Sequence, residues 1–121
     1  MTDEQRYTAL LTSLAVSRPE GEEEPPSPYT AAWGEVFEVE GQEWLVLTDD
    51  EADEAFRASV ENYVDECLEM PDNVRPYFDT DAFIRDVELN DGRGPTLSAW
   101  DGAEEEVKTP AGVWLYLYRQ N

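Results

Sequence analysis

The 121-residue chain has no histidine, one cysteine and one lysine. Without histidine, the common general base is missing, and so are the Ser-His-Asp and Cys-His nucleophile pairs and most zinc sites. A lone Cys67 excludes an internal disulfide and any multi-thiolate site, and it reads as a core thiol in a reducing compartment. Cations are nearly absent as a class: Lys108 and seven arginines face 29 acids, a formal charge of −21. With no basic cluster to offset that charge, direct binding to nucleic acid or anionic lipid is not expected. No apolar run approaches the roughly 20 residues of a membrane span, and the acidic start Met1-Thr2-Asp3-Glu4 is unlike a secretory signal. A cytoplasmic location is the expectation.

Apolar residues make up 40% of the chain and aromatic ones 12%, including Trp33, Trp44, Trp100 and Trp114. That is enough to build a core, unlike a disordered acidic tail, so residues 1–121 read as one small acidic domain.

Tyr7, Leu10, Leu11 and Leu14 form an i, i+3, i+4, i+7 stripe, which predicts a first helix capped by Thr2 or Asp3 and ended by Pro19. The Pro- and Glu-rich stretch 18–30 has no periodicity and reads as a flexible linker. Residues 36–39 and 44–47 read as two strands around a turn at Glu40-Gly41-Gln42-Glu43. Thr48 and Glu51 have capping-box spacing, predicting a long helix that runs to Pro71 with Ala52, Phe56, Val60, Tyr63 and Cys67 inward. Asp79 or Thr80 caps a shorter helix around Phe83, Ile84 and Val87 that ends at Asn90-Asp91-Gly92. Residues 96–100 and 113–119 read as further strands, with Val113, Leu115 and Leu117 alternating against Trp114, Tyr116 and Tyr118. The expected fold is α+β: a small antiparallel sheet of three to five strands packed with two or three helices.

The charge is unevenly distributed. From Pro19 through Phe56 there are thirteen acids and no cation. Solubility of a small domain requires a net charge of only about 2–8, and a larger one adds self-repulsion. On the long helix, Asp50, Glu54, Glu61 and Asp65 share a face, i to i+4 carboxylates lie about 6 Å apart, and Asp50 to Glu69 spans about 28 Å. Duplex DNA carries one charge per roughly 1.7 Å of axis, so this stripe with neighbouring loop acids forms a coarse phosphate-like array. A groove built to hold nucleic acid attracts such an array. The candidate partner-binding residues are Asp49, Asp50, Glu51, Asp53, Glu54, Glu61, Asp65 and Glu69, supplemented by Glu22, Glu23 and Glu24 and by Glu104, Glu105 and Glu106. Solvated surface and adaptation to high salt are the competing explanations of the same composition.

Other chemistry finds weaker support. Asp79-Thr80-Asp81 and Asp49-Asp50-Glu51 do not continue as a calcium loop, and Asn90-Asp91-Gly92-Arg93-Gly94-Pro95 lacks the Gly-Lys-Ser/Thr of a phosphate loop and reads as a helix-to-strand turn. No catalytic residue, metal or cofactor is expected.

Three segments carry a resemblance: Glu43 through Ala55, with its Trp-Leu-Val-Leu-Thr-Asp-Asp-Glu-Ala-Asp-Glu core; Leu97 through Glu106; and the aromatic end Tyr116 through Asn121. They are similar to segments of small acidic proteins of bacteriophages and mobile elements, departing from them at Gln120 and at the Pro110 loop. The resemblance implies no catalytic residues. It implies phage or prophage origin; small acidic phage proteins are often inhibitors of host defence, and by that analogy together with the charge the expected function is an anti-CRISPR or anti-restriction inhibitor acting as a DNA mimic on the basic nucleic-acid site of a CRISPR effector or restriction enzyme. The alternative is a phage structural or regulatory module that binds through an aromatic sheet face, and an uncovered face of that kind also permits a homodimer.

Overall fold

The computed structural model describes residues 1–22 and 24–121. In chain order the elements are α1 (Asp3–Leu14), β1 (Tyr29–Ala31), β2 (Gly34–Val39), β3 (Gln42–Thr48), α2 (Asp49–Glu66), a 3-10 turn (Arg75–Tyr77), α3 (Thr80–Asp91), α4 (Gly94–Leu97), β4 (Glu105–Lys108) and β5 (Trp114–Arg119). The fold is α+β, with five antiparallel strands in the order β1-β2-β3-β5-β4. Among the described residues there are four α-helices where two or three were expected, the extra one being the single turn α4.

Local chemistry accounts for the starts of the three longer helices and for the turn between β2 and β3. The Thr2 hydroxyl accepts from the Gln5 N–H while the Gln5 side chain accepts from the Thr2 N–H, closing a capping box on α1. Thr48 and Glu51 do the same for α2, at 3.3 and 2.8 Å. Asp79 rather than Thr80 caps α3, accepting from the Ala82 N–H at 3.0 Å. Glu40 and Gly41 both have positive φ, 51° and 81°, and make a two-residue turn closed by the Val39–Gln42 pair. Only that backbone twist joins β2 and β3 so tightly, and glycine supplies half of it without steric cost.

Both faces of the sheet are covered. Leu10, Leu11 and Tyr7 of α1 pack on Phe37, Val39, Trp44, Val46, Leu115 and Leu117. On the other face Ala52, Ala55, Phe56 and Val60 of α2, Ile84 of α3 and Leu97 of α4 pack on Val36, Leu45, Leu47 and Tyr118. Each full burial of a large apolar side chain contributes roughly 1.5–3 kcal/mol, so the two half-cores are comparable sources of stability. The expected alternation of β5 is present, with Leu115 and Leu117 toward α1 and Tyr116 and Tyr118 toward α2.

Several expectations need correction. The strand at 96–100 is instead α4 followed by a bend, because Gly94 and Pro95 start a helical turn that tucks Leu97 beneath α2. A strand forms instead at Glu105–Lys108, where acids hid it, through pairing with β5. Helix α2 stops at Glu66, before Pro71, and Val64 rather than Tyr63 continues its buried stripe. Tyr63 stacks on Phe83 of α3 at 6.4 Å and stays half exposed, and Cys67, at the C-cap, is exposed rather than a core thiol. The stretch 18–30 contains no helix or strand among its described residues until β1 begins at Tyr29.

Candidate acidic interface

The N-terminal end of α2 is held by two arginines that arrive from opposite sides. Arg93, at the start of α4, is 9% exposed; its Nη1 lies 3.0 Å from Asp49 and 2.9 Å from Asp53, and its Nε 2.8 Å from Glu104. Its guanidinium carbon also stands 4.5 Å above the Tyr116 ring. Burial opposes the charge of Arg93, but Glu104 and the other acids more than offset it and keep the guanidinium protonated. Tyr118 donates its hydroxyl to Glu104; burial and then that carboxylate push its phenol well above the ordinary range. Glu88 of α3 joins Asp49, Asp53 and Glu104 around a cleft of about 370 Å³.

On the opposite flank, Arg6 of α1 forks onto Glu51, with Nη1 and Nη2 at 2.7 and 3.0 Å, and also donates to the Val46 carbonyl at 2.8 Å. Burial would raise the Glu51 pKa, but the hydrogen bonds from Arg6 and from the Thr48 N–H, with the Arg6 charge, bring it down to about 2. Asp3, Glu35, Glu51 and Glu54 surround a second cleft, of about 520 Å³, whose apolar wall includes Trp33, Ala55 and Ala58. The adjacent Asp3 carboxyl, followed by burial, raises the pKa of Glu35.

At 100° per residue, Asp50 and Glu54 fall on the outward arc between the two clamps, and both are exposed. The expected stripe does not continue unbroken along α2. Arg57 sits in it, paired with Glu61 at 3.0 Å and with Asp81 of α3, and separates the N-terminal acids from Asp65 and Glu69 beyond it, which are exposed.

The supplementary acids divide. Glu104 joins the Arg93 cluster, while Glu105 and Glu106 project from the edge strand β4. Glu22 lies 3.7 Å from Arg18, which also pairs with Glu4 of α1 and stands 5.5 Å above the Tyr7 ring, so it belongs to the α1 side. Glu24 is exposed, and Glu23 lies outside the described residues. Asp3, Glu35 and Glu88 were not among the candidate residues, nor were Arg6, Arg57 and Arg93. The signal was thin: in a chain with eight cations, a lone arginine between acid-rich elements is a candidate internal clamp.

Among the described residues no group of three or more His, Cys, Asp or Glu is arranged to hold a metal, and no helix is long and apolar enough to cross a membrane. Comparison of the chain with protein families, with curated proteins and with solved structures returns no match.

Proposed function

We propose that this protein is a non-enzymatic inhibitor that occupies the basic nucleic-acid-binding site of a host defence complex, such as a CRISPR effector or a restriction enzyme, by presenting carboxylates in place of phosphates. The observation that carries the reading is the doubly clamped end of α2. Arg93 and Arg6 hold Asp49, Asp53, Glu104 and Glu51 in fixed positions on both flanks, and Asp50 and Glu54 face outward between them. Arg93 sets one positive charge against three acids and Arg6 one against Glu51, so with Asp50 and Glu54 the array is held in place and keeps a net negative charge. Rigidity matters because an array ordered before binding does not lose that entropy on association. One helical turn offsets Asp50 and Glu54 by about 6 Å along the helix axis, close to the axial rise between alternate phosphates of one strand. The resemblance to small acidic phage proteins adds the host-defence context.

The aromatic-sheet alternative is less well supported. Phe37, Trp44 and Tyr118 are buried, Tyr29 and Trp114 are half exposed, and helices lie on both faces of the sheet, which covers the face that would have permitted a homodimer.

Capture from the lysate of a candidate host, at low and high salt and with duplex DNA as competitor, tests the reading. A nucleic-acid-binding complex retained at low salt, released by DNA, and lost with Asp50→Lys/Glu54→Lys is the expected result. A correctly folded double variant that captures and inhibits as well as the parent protein would overturn it.

A further inference from the structure

The far end of α2 carries a surface of a different kind. There Tyr63 stacks on Phe83 at 6.4 Å with their planes 9° apart, and Phe78 meets Phe83 at 5.7 Å. Tyr77, in the adjoining 3-10 turn, is 86% exposed and Val74 beside it 44%. Trp100, Tyr29 and Trp114 are also open, but here exposed Tyr77 and Tyr63 adjoin a group of packed rings, and tyrosine is among the residues that most often anchor interfaces. The surrounding segment, residues 61–81, holds seven acids and Arg75; Glu61 and Asp81 pair with Arg57, and the other five acids keep the surface negative.

This fold twice uses the same combination internally. Arg93 lies over Tyr116 while pairing with carboxylates, and Arg18 lies over Tyr7 while pairing with Glu4 and Glu22. In each case an arginine fills the space between a ring and an acid. None of the cation–π contacts among the described residues uses Tyr63, Tyr77, Phe78 or Phe83.

We propose that this aromatic and acidic surface docks arginine side chains of the protein partner, providing a second anchor at the opposite end of α2 from the clamped array. The proposal rests on the basic-partner reading above and deepens it. Arginine is favoured over lysine because its flat, weakly hydrated guanidinium can stack on a ring and fork onto a carboxylate together. A second copy of this chain is disfavoured as the occupant, since it would bring two strongly negative surfaces into contact.

The test is titration of the full chain with fluorescent nona-arginine and nona-lysine peptides of equal charge, monitored by amide chemical shifts. The expected result is tighter binding of nona-arginine, with shifts at Tyr63, Tyr77 and Phe83. Tyr77→Ala and Tyr63→Ala should each weaken nona-arginine roughly threefold and leave nona-lysine unchanged, while Tyr77→Phe retains the preference. Asp50→Lys/Glu54→Lys should weaken both peptides alike and keep their ratio. Equal affinity for the two peptides, or tyrosine variants that do not alter their ratio, would overturn the arginine anchor. Concentration-dependent self-association in sedimentation that Tyr77→Ala abolishes would also overturn it, by making a second copy the occupant. Loss of the double-lysine effect with the arginine preference intact would instead count against the clamped array alone.

Discussion

Arg6 and Glu51, 45 residues apart in sequence, meet in a forked pair of 2.7 and 3.0 Å, and the same Glu51 closes the capping box of α2. One side chain thus joins α1 to the start of α2 while satisfying the Thr48 N–H. The folded state holds Glu51 at a pKa of about 2 against an ordinary 4.5, so its carboxylate contributes stability that is present above pH 4.5 and lost as pH falls toward 2. With 42% of the Glu51 side chain in contact with solvent, screening reduces the contribution to on the order of 1 kcal/mol. Urea unfolding of the parent and Glu51→Gln proteins across that range is expected to show a gap near neutrality that closes toward pH 2. A gap independent of pH would place the effect in packing.

Arg93→Ala removes the cation that Asp49, Asp53 and Glu104 share and leaves them repelling one another. The expected loss is about 2–3 kcal/mol, below the full cost of breaking a buried pair because Asp49 and Asp53 are more than half exposed. Added salt should restore part of it by screening the three carboxylates. Arg93→Lys keeps the charge without the fork or the flat ring contact and should fall between. Denaturant midpoints at low and high salt check all three expectations.

Gly94→Ala tests close packing. A Cβ at this position would stand 2.3 Å from the Gly102 carbonyl oxygen and 3.0 Å from backbone atoms of Ala103 and Glu104. Because those neighbours are main chain, the bend leading into β4 must shift, at about 1–3 kcal/mol. Calorimetric melting of the variant measures it. An unchanged melting temperature would mean that the bend yields freely.

Cys67 is exposed at the C-cap of α2. A thiol reagent should label it to completion in native buffer, at a rate that urea changes little. Labelling that requires urea would return the thiol to the core.

The parts of this fold that were legible in the sequence are those set by neighbours in the chain. Thr2 with Gln5 and Thr48 with Glu51 announce helix starts because each pair bonds across a single turn. The alternation in β5 announces a strand, and both of its faces are apolar, Leu115 and Leu117 on one and Tyr116 and Tyr118 on the other. That is the signature of a sheet covered on both sides, and it already spoke against the uncovered face that the aromatic-sheet alternative supposed. Glu105–Lys108 is a strand through its pairing with β5; of its own residues Val107 alone favours an extended chain. Likewise, acids on α2 could be named from composition and period, but not the partition between clamped and open ones. That partition depends on Arg6, Arg57 and Arg93, and Arg6 and Arg93 reach α2 across separations of 40 residues or more.

The strand order has a consequence for biosynthesis. β5, the last strand in chain order, is inserted between β3 and β4, where it pairs Trp44 through Thr48 with Arg119 through Leu115 across some seventy residues of chain. On the ribosome, β3 therefore waits with one edge unpaired, and Val46 without its neighbour Leu117, until nearly the whole domain has been made. The β2–β3 hairpin is local, but completion of the sheet is a late step, and the many carboxylates on the waiting chain keep copies apart until then.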